Sequence, residues 1–283
     1  MGVRVVTDSS SDLSPAVVDD LAIEVVPLKV RFGDEELVDR IELTPEAFWA
    51  RLRISDAVVQ TAAPSPGDFQ QAFAKVLAEG ASAIVCVTLS SKVSATHQVA
   101  SLAAARFADR CPVVVVDSLS VSAGLGNLCL VAARRAAEGA DASTVAREAE
   151  ELRGTFGVYG AVESLEYLRR GGRIGAAQAL LGTALSIRPL LHFEHGTVEL
   201  AGKVRTRRRA LAWLAERLEE DLPVESVTAF HADAPDADTF VELLAAKVPA
   251  QLVGVTLMGP VIGTHVGPGT VGVAYFKVGK PAT

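Results

Sequence analysis

The sequence predicts an α/β protein built as two α/β domains, the first around a mainly parallel sheet. Three observations carry this prediction. Short apolar runs recur at 3–10, 83–90 and 112–118, with longer stretches of helical spacing between them. The runs are continuous rather than alternating, as expected of strands covered on both faces. After about residue 155 the order of elements changes, so the domains are placed at 1–155 and 156–283.

Taken in order, VRVVTDSS (3–10) is a strand that ends in a polar turn. Ser14 with Pro15 is an N-cap followed by a first-turn proline. EVVPLKVRF (24–32) reads as a strand that Pro27 confines to an edge or breaks, and GDEE (33–36) as a turn. The cap-then-proline signal returns in TPEAFWARLR (44–53) and in SPGDFQQAFAKVLAEG (65–80). In the latter, Phe69, Phe73 and Leu77 recur one turn apart. AIVCVTLS (83–90) and PVVVVDS (112–118) are strands, and 94–107, 121–139 and 141–155 are helices.

Beyond that point a strand is expected at 156–162, a helix at 163–170 and a glycine turn at RRGGRIG. An apolar helix at 176–185 and a hairpin over 188–202, with His195-Gly196 at its tip, follow. A basic helix at 206–219 then precedes strand, helix and strand. The last motif, GTHVGPGTVGVAYF (263–276), reads as a glycine-rich loop around His265 that runs into a strand.

Composition narrows the function. Hydrophobic residues make up 49% and charged residues 22%, which suits a folded globular chain. A net charge of −7 argues against wholesale nucleic-acid binding. No apolar run reaches the ~18 residues of a membrane span, and the N-terminus lacks a signal-peptide pattern. Cys86, Cys111 and Cys129 read as buried hydrophobes in a reduced cytoplasm. The five histidines lack metal-ligand spacing, and neither a nucleotide-binding glycine fingerprint nor a P-loop is present, so no cofactor is expected. Gly124-Leu125-Gly126 reads as a close packing point inside a helix.

In open α/β sheets ligands bind beyond the carboxyl ends of the strands. Those ends carry Thr7-Asp8-Ser9-Ser10, Thr88-Leu89-Ser90-Ser91 and Asp117-Ser118, with Ser94 and Thr61 close by in sequence. Each hydroxyl alone reads as a helix cap. Their gathering at several strand ends points to a ligand, and a helix starting near Ser94 would aim free amides at an anion. A serine-dependent acyl esterase stays open as an alternative, with His97 or His265 as base and Asp8 or Asp117 behind it, although no G-x-S-x-G elbow occurs. RRGGR (169–173) and KVRTRRR (203–209) are either solvated helix faces or a mouth for an anion or an acidic partner.

Seven segments, in order, resemble the DegV family of bacterial fatty-acid-binding proteins: VTDSSSDL, TAAPSPGDF, TLSSKVSATHQ, VVDSLSVSAGLG, ESLEYLRRGGRIG, RPLL…KVRTRRRAL and GTHVGPGTVGVAYF. The chain departs from the family's usual pattern at Ala62 or Ala63, Val93, Ala95 and His97. The resemblance implies two α/β domains with the lipid site in the cleft between them. It implies one long-chain fatty acid, its tail in an apolar tunnel formed by the Ala-, Val- and Leu-rich helices. It further implies that Thr61, Ser91 or Ser94, and His265 hold the carboxylate, with Thr264 assisting. Arg173 and Arg205 match positions for docking a kinase or touching an acyl phosphate. Such a protein is a non-catalytic cytoplasmic carrier, with transient membrane contact allowed. It presents the fatty acid to a separate fatty acid kinase, and the acyl phosphate enters phospholipid synthesis.

Overall fold

A computed structural model describes residues 2–180 and 187–278. Val3–Asp8 (β1) leads into a 3-10 turn at Ser9–Ser11. Ser14 caps Pro15–Asp20 (α1) by accepting from the Val17 amide. The single strand expected over 24–32 is two strands in two sheets: Glu24–Val26 (β2) and Lys29–Phe32 (β3). Pro27, which has no amide to donate, stands at the break, and the Leu28 amide instead donates to Ser9 Oγ at 3.0 Å. The expected turn at 33–36 is shorter, because Glu35–Val38 (β4) folds back on β3. Thr44 caps Pro45–Leu52 (α2), and Val59–Ala62 (β5) completes an antiparallel sheet of order β4-β3-β5. A reciprocal capping box between Ser65 and Asp68 opens Pro66–Ala78 (α3).

Ala83–Thr88 (β6), Thr96–Ala105 (α4), Val113–Asp117 (β7), Ser122–Ala137 (α5) and Ala142–Leu152 (α6) follow. The sheet order is β2-β1-β6-β7, every pair parallel. Successive strand residues point to opposite faces, and here both faces are covered. Val6, Ile84 and Cys86 pack on Phe69, Phe73, Ala100 and Ala103 from α3 and α4. Val5, Val85 and Val87 pack on Leu125, Leu128 and Val145 from α5 and α6. This is why the strands read as unbroken apolar runs.

The second half opens with Phe156–Ala161 (β8) and Glu166–Arg170 (α7). Where an apolar α-helix was expected at 176–185, the chain makes a 3-10 helix at Gly175–Leu180. The remainder of that expectation, 181–186, lies outside the described residues. Arg188–Glu194 (β9) and Thr197–Val204 (β10) form the expected hairpin, with His195 and Gly196 at positive φ in its tip. Arg207–Glu220 (α8), Val224–His231 (β11), Ala237–Ala245 (α9) and Val253–Leu257 (β12) follow. Pro260–Val266 (α10) and Val271–Lys277 (β13) complete the described chain.

These strands make a mixed sheet of order β10-β9-β8-β13-β11-β12. α8 and α9 cover one face through Leu211, Leu214, Phe240 and Leu244. The other face meets the first half, where Val158, Phe230 and Ala274 join Phe48, Trp49 and Ala123 in one core. Gly124 and Gly126 are close packing points, as their spacing suggested: added Cβ atoms would lie 2.2 Å from Ser120 Oγ and 2.6 Å from the Ser11 carbonyl. No helix of the described residues is long and apolar enough to cross a membrane.

Candidate functional site

A cavity of about 230 Å³ lies where the two halves meet. Leu28, Leu89 and Val121 reach it from the first half, and Val158, Phe193, Phe230, Met258, Val261 and Ile262 from the second. A second cavity of about 360 Å³ is lined by Lys29, Arg31, Gln60 and Arg170. Thr61, Arg173 and His265 line both. The apolar chamber therefore has a polar wall, and beyond that wall lies a chamber rich in positive charge.

Local structure places each of these groups. Thr61 lies on β5, paired with Val30 of β3. His265 sits in the last turn of α10, a helix where a glycine loop was expected. The Gly-Pro-Gly turn begins one residue past the helix, at Gly267, whose φ is 76°. Pro260 at the helix start and the Gly263 amide bonded to the Gly259 carbonyl at 2.9 Å draw the first part of the motif into a helical turn.

Thr61 Oγ1 and His265 Nε2 are hydrogen-bonded at 2.9 Å, joining residues 204 apart in sequence. The other ring nitrogen, Nδ1, is buried without a hydrogen-bond partner. It lies against Gly171, where a Cβ would come within 2.2 Å of it. Burial, and then the charge of Arg173, push the His265 pKa down to about 4. The imidazole is therefore neutral at neutral pH, and the positive charge on this wall comes from Arg173. The Arg173 guanidinium is held by the Val93 carbonyl at 3.0 Å and the Gly171 carbonyl at 2.6 Å.

Of the other sequence candidates, Ser94 alone lines either cavity. Ser94 lines the apolar chamber beside Ala95, and its hydroxyl is bonded to Thr96 Oγ1 at 2.9 Å. α4 begins at Thr96, so its first amides lie next to this wall. Ser91 is exposed and lines neither cavity; its amide donates to Asp117 at 3.1 Å. Thr264 is buried and lines neither cavity, its hydroxyl donating to the Pro260 carbonyl at 2.8 Å. Arg205 is exposed between β10 and α8 and lines neither cavity. Arg207 is an internal tie, bidentate to Asp236 at 2.7 and 2.8 Å, so that part of the basic run is structural.

Among the described residues α4 supplies none of the chamber's lining and α5 only Ser122, whereas strand residues and α10 supply about half. Sequence reasoning passed over Gly171, although its glycine pair was visible beside Arg173. Leu28, Phe193, Phe230 and Met258 come from four separate segments, and no periodicity joins them.

Among the described residues the hydrogen bonds do not pair a serine with a histidine base: His265 holds Thr61, and His97 Nδ1 holds Thr88 Oγ1 at 3.1 Å. Asp8 is occupied by Ser10 and by the Leu89 amide, and Asp117 by the Ser91 and Leu119 amides.

A family model described as the DegV family matches residues 2–278. A DegV domain-containing protein of Streptomyces coelicolor is 38% identical over 276 residues, covering 96% of this chain and 97% of that protein. Among solved structures, a DegV family protein from Thermus thermophilus, described by its fatty acid binding, superposes with a TM-score of 0.89 at 35% identity. That match covers 98% of this chain and 100% of the other. DegV of Bacillus subtilis, described as a fatty acid binding protein, superposes with a TM-score of 0.85 at 30% identity, covering 98% and 99%. With the same fold and related sequence over nearly its whole length, this chain belongs to the DegV family.

Proposed function

We propose that this protein binds one long-chain fatty acid, its tail in the apolar chamber and its carboxylate at the polar wall, and presents that carboxylate to a separate fatty acid kinase. The observation that carries the reading is the Thr61–His265 hydrogen bond at the border of an apolar chamber and a basic one. Fatty acid binding by the Thermus thermophilus and Bacillus subtilis relatives supports it.

In this reading a neutral His265 donates its Nε2 proton to Thr61 Oγ1. The threonine hydroxyl proton is then free to reach the carboxylate, and Nδ1 is left as a bare lone pair, cheaper to bury than an unpaired N–H. Ser94 supplies a second hydroxyl, and Arg173 supplies the compensating charge. His265 thus acts on the ligand through Thr61. Ser91 and Thr264, which line neither cavity, are given no contact with the carboxylate in this reading. Arg205, exposed near the same end of the chain's basic run, remains a kinase-docking residue in this reading. The tail dominates affinity: at ~0.8 kcal/mol per methylene, a 16-carbon chain contributes roughly 12 kcal/mol before the costs of association. The kinase transfers the γ-phosphoryl group of ATP to the carboxylate, ADP leaves, and the acyl phosphate goes on to phospholipid synthesis in the cytoplasm.

Mass spectrometry of protein purified and then denatured should release a fatty acid; repeated absence of any lipid removes the reading. With a fatty acid kinase and ATP, His265→Ala should reduce acyl-phosphate formation more than tail binding. Equal losses would detach the histidine from the head group.

A further inference from the structure

We infer that Asp12 is a positioning residue for the head-group wall: its carboxylate seats α10, and through α10 it places His265. The inference rests on the head-group reading above.

α10 spans seven residues, too short to hold its place by helix propensity. Its N-cap is Gly259, which offers no side chain. The Gly259 amide instead donates to Asp12 Oδ1 at 2.8 Å, across 247 residues of sequence. Arg40 Nη2 meets the same oxygen at 3.2 Å, and Ser122 Oγ donates to Oδ2 at 2.6 Å. The Asp12 main-chain carbonyl accepts from Thr256 Oγ1 at 2.6 Å, just before α10. Asp12 is buried and lines neither cavity. Its backbone has a φ of 52°, unusual for a residue with a side chain. One carboxylate therefore links the loop after β1, the first residue of α5 that lines the apolar chamber, and the helix carrying His265.

The test compares a long-chain fatty acid with its methyl ester, which keeps the tail and loses the charged head group. Affinities are measured by calorimetry after extraction of co-purified lipid, together with the imidazole ¹⁵N resonances of His265. In folded Asp12→Ala the acid-to-ester affinity ratio should fall about tenfold, the scale of one lost charge-assisted hydrogen bond. The His265 resonances should move as well. Asp12→Asn, whose side-chain oxygen can still accept from Gly259, should keep the ratio within about twofold of wild type. A purely structural role would weaken acid and ester alike.

His265→Ala and Thr61→Ala set the scale. If neither lowers the ratio, the head-group reading itself fails. If they lower it while folded Asp12→Ala keeps the wild-type ratio and His265 signals, the Asp12 inference is overturned. An Asp12→Asn ratio as low as that of Asp12→Ala also overturns it. Should Asp12→Ala not fold, Ser122→Ala frees one carboxylate oxygen. A wild-type ratio with unmoved His265 signals in that variant is likewise fatal.

Discussion

At the residue scale the site turns on how closely the Gly171 backbone approaches one imidazole. Gly171 has ordinary helical dihedrals, φ −75° and ψ −9°, so alanine suits its backbone. The obstacle is space, because its Cβ would stand 2.2 Å from His265 Nδ1. Gly171→Ala should therefore displace the ring and lower fatty-acid affinity about tenfold, with the methyl ester less affected, as a binding titration would show. His265 also predicts a pH dependence. Its folded-state pKa, about 4, lies below the unfolded value near 6.5. Between those values the unfolded chain holds the extra proton, so stability falls as pH drops from about 6.5 through about 4. Asp8, raised to about 6 by burial, works in the opposite sense: acidification from there toward 3.8 favours the folded state. The His265 contribution is isolated by comparing wild type with His265→Gln across that range. Urea denaturation should show wild type losing roughly 3 kcal/mol relative to the variant by the acid end. A constant difference would mean the ring is solvated.

At the element scale the short segments matter more than the long helices. Pro27 sends β2 and β3 into different sheets, and that split puts Thr61 on β5 within reach of α10. α10 itself is wedged in by Gly263, where a Cβ would meet Trp49 at 2.7 Å and Phe48 at 2.8 Å. Trp49 Nε1 also donates to the Met258 carbonyl at 2.8 Å. Gly263→Ala should cost about 1–3 kcal/mol by overpacking, read from the urea midpoint, and should quench or shift Trp49 fluorescence. The caps around these elements were legible: Ser14, Thr44 and Ser65 all accept from the amide three residues on. A cap is a local bond, so local sequence suffices to find it. The helical start of the histidine motif was missed because its glycines masked the Pro260 signal, and the neighbours that hold it come from residues 12 and 49.

At the scale of the molecule the two halves share their interior. Phe276 near the chain's end stacks on Phe156 at 4.9 Å and packs in the core of the first half. Asn127 of α5 donates to the Ser226 and Ala274 carbonyls and accepts from Thr228 Oγ1 at 2.8 Å. A division at residue 155 describes which strands form which sheet, and we propose it as a boundary of architecture and not of cooperativity. Unfolding in urea should then be a single transition, coincident by far-ultraviolet circular dichroism and by tryptophan fluorescence. Two separated transitions would show that the halves fold alone. Asn127→Ala should lower stability by about 2–3 kcal/mol, because it strands buried carbonyls of the opposite half.

By itself the sequence determined the α/β class, the parallel first sheet, the capped helices and the hairpin tip, since apolar periodicity and turn chemistry are local properties. Its motifs also singled out Thr61, Ser94, Arg173 and His265, which line one cavity. Only the tertiary structure decided which hydroxyl faces that cavity, because Ser91 and Ser94 differ in direction and hardly in sequence. Tertiary structure likewise decided that His265 sits on a helix and meets Thr61, that Gly171 makes room for its ring, and that the Asp12 carboxylate accepts from the amide before that helix. Those are contacts between residues up to 247 apart, formed when two sheets close on each other, and no local pattern encodes them.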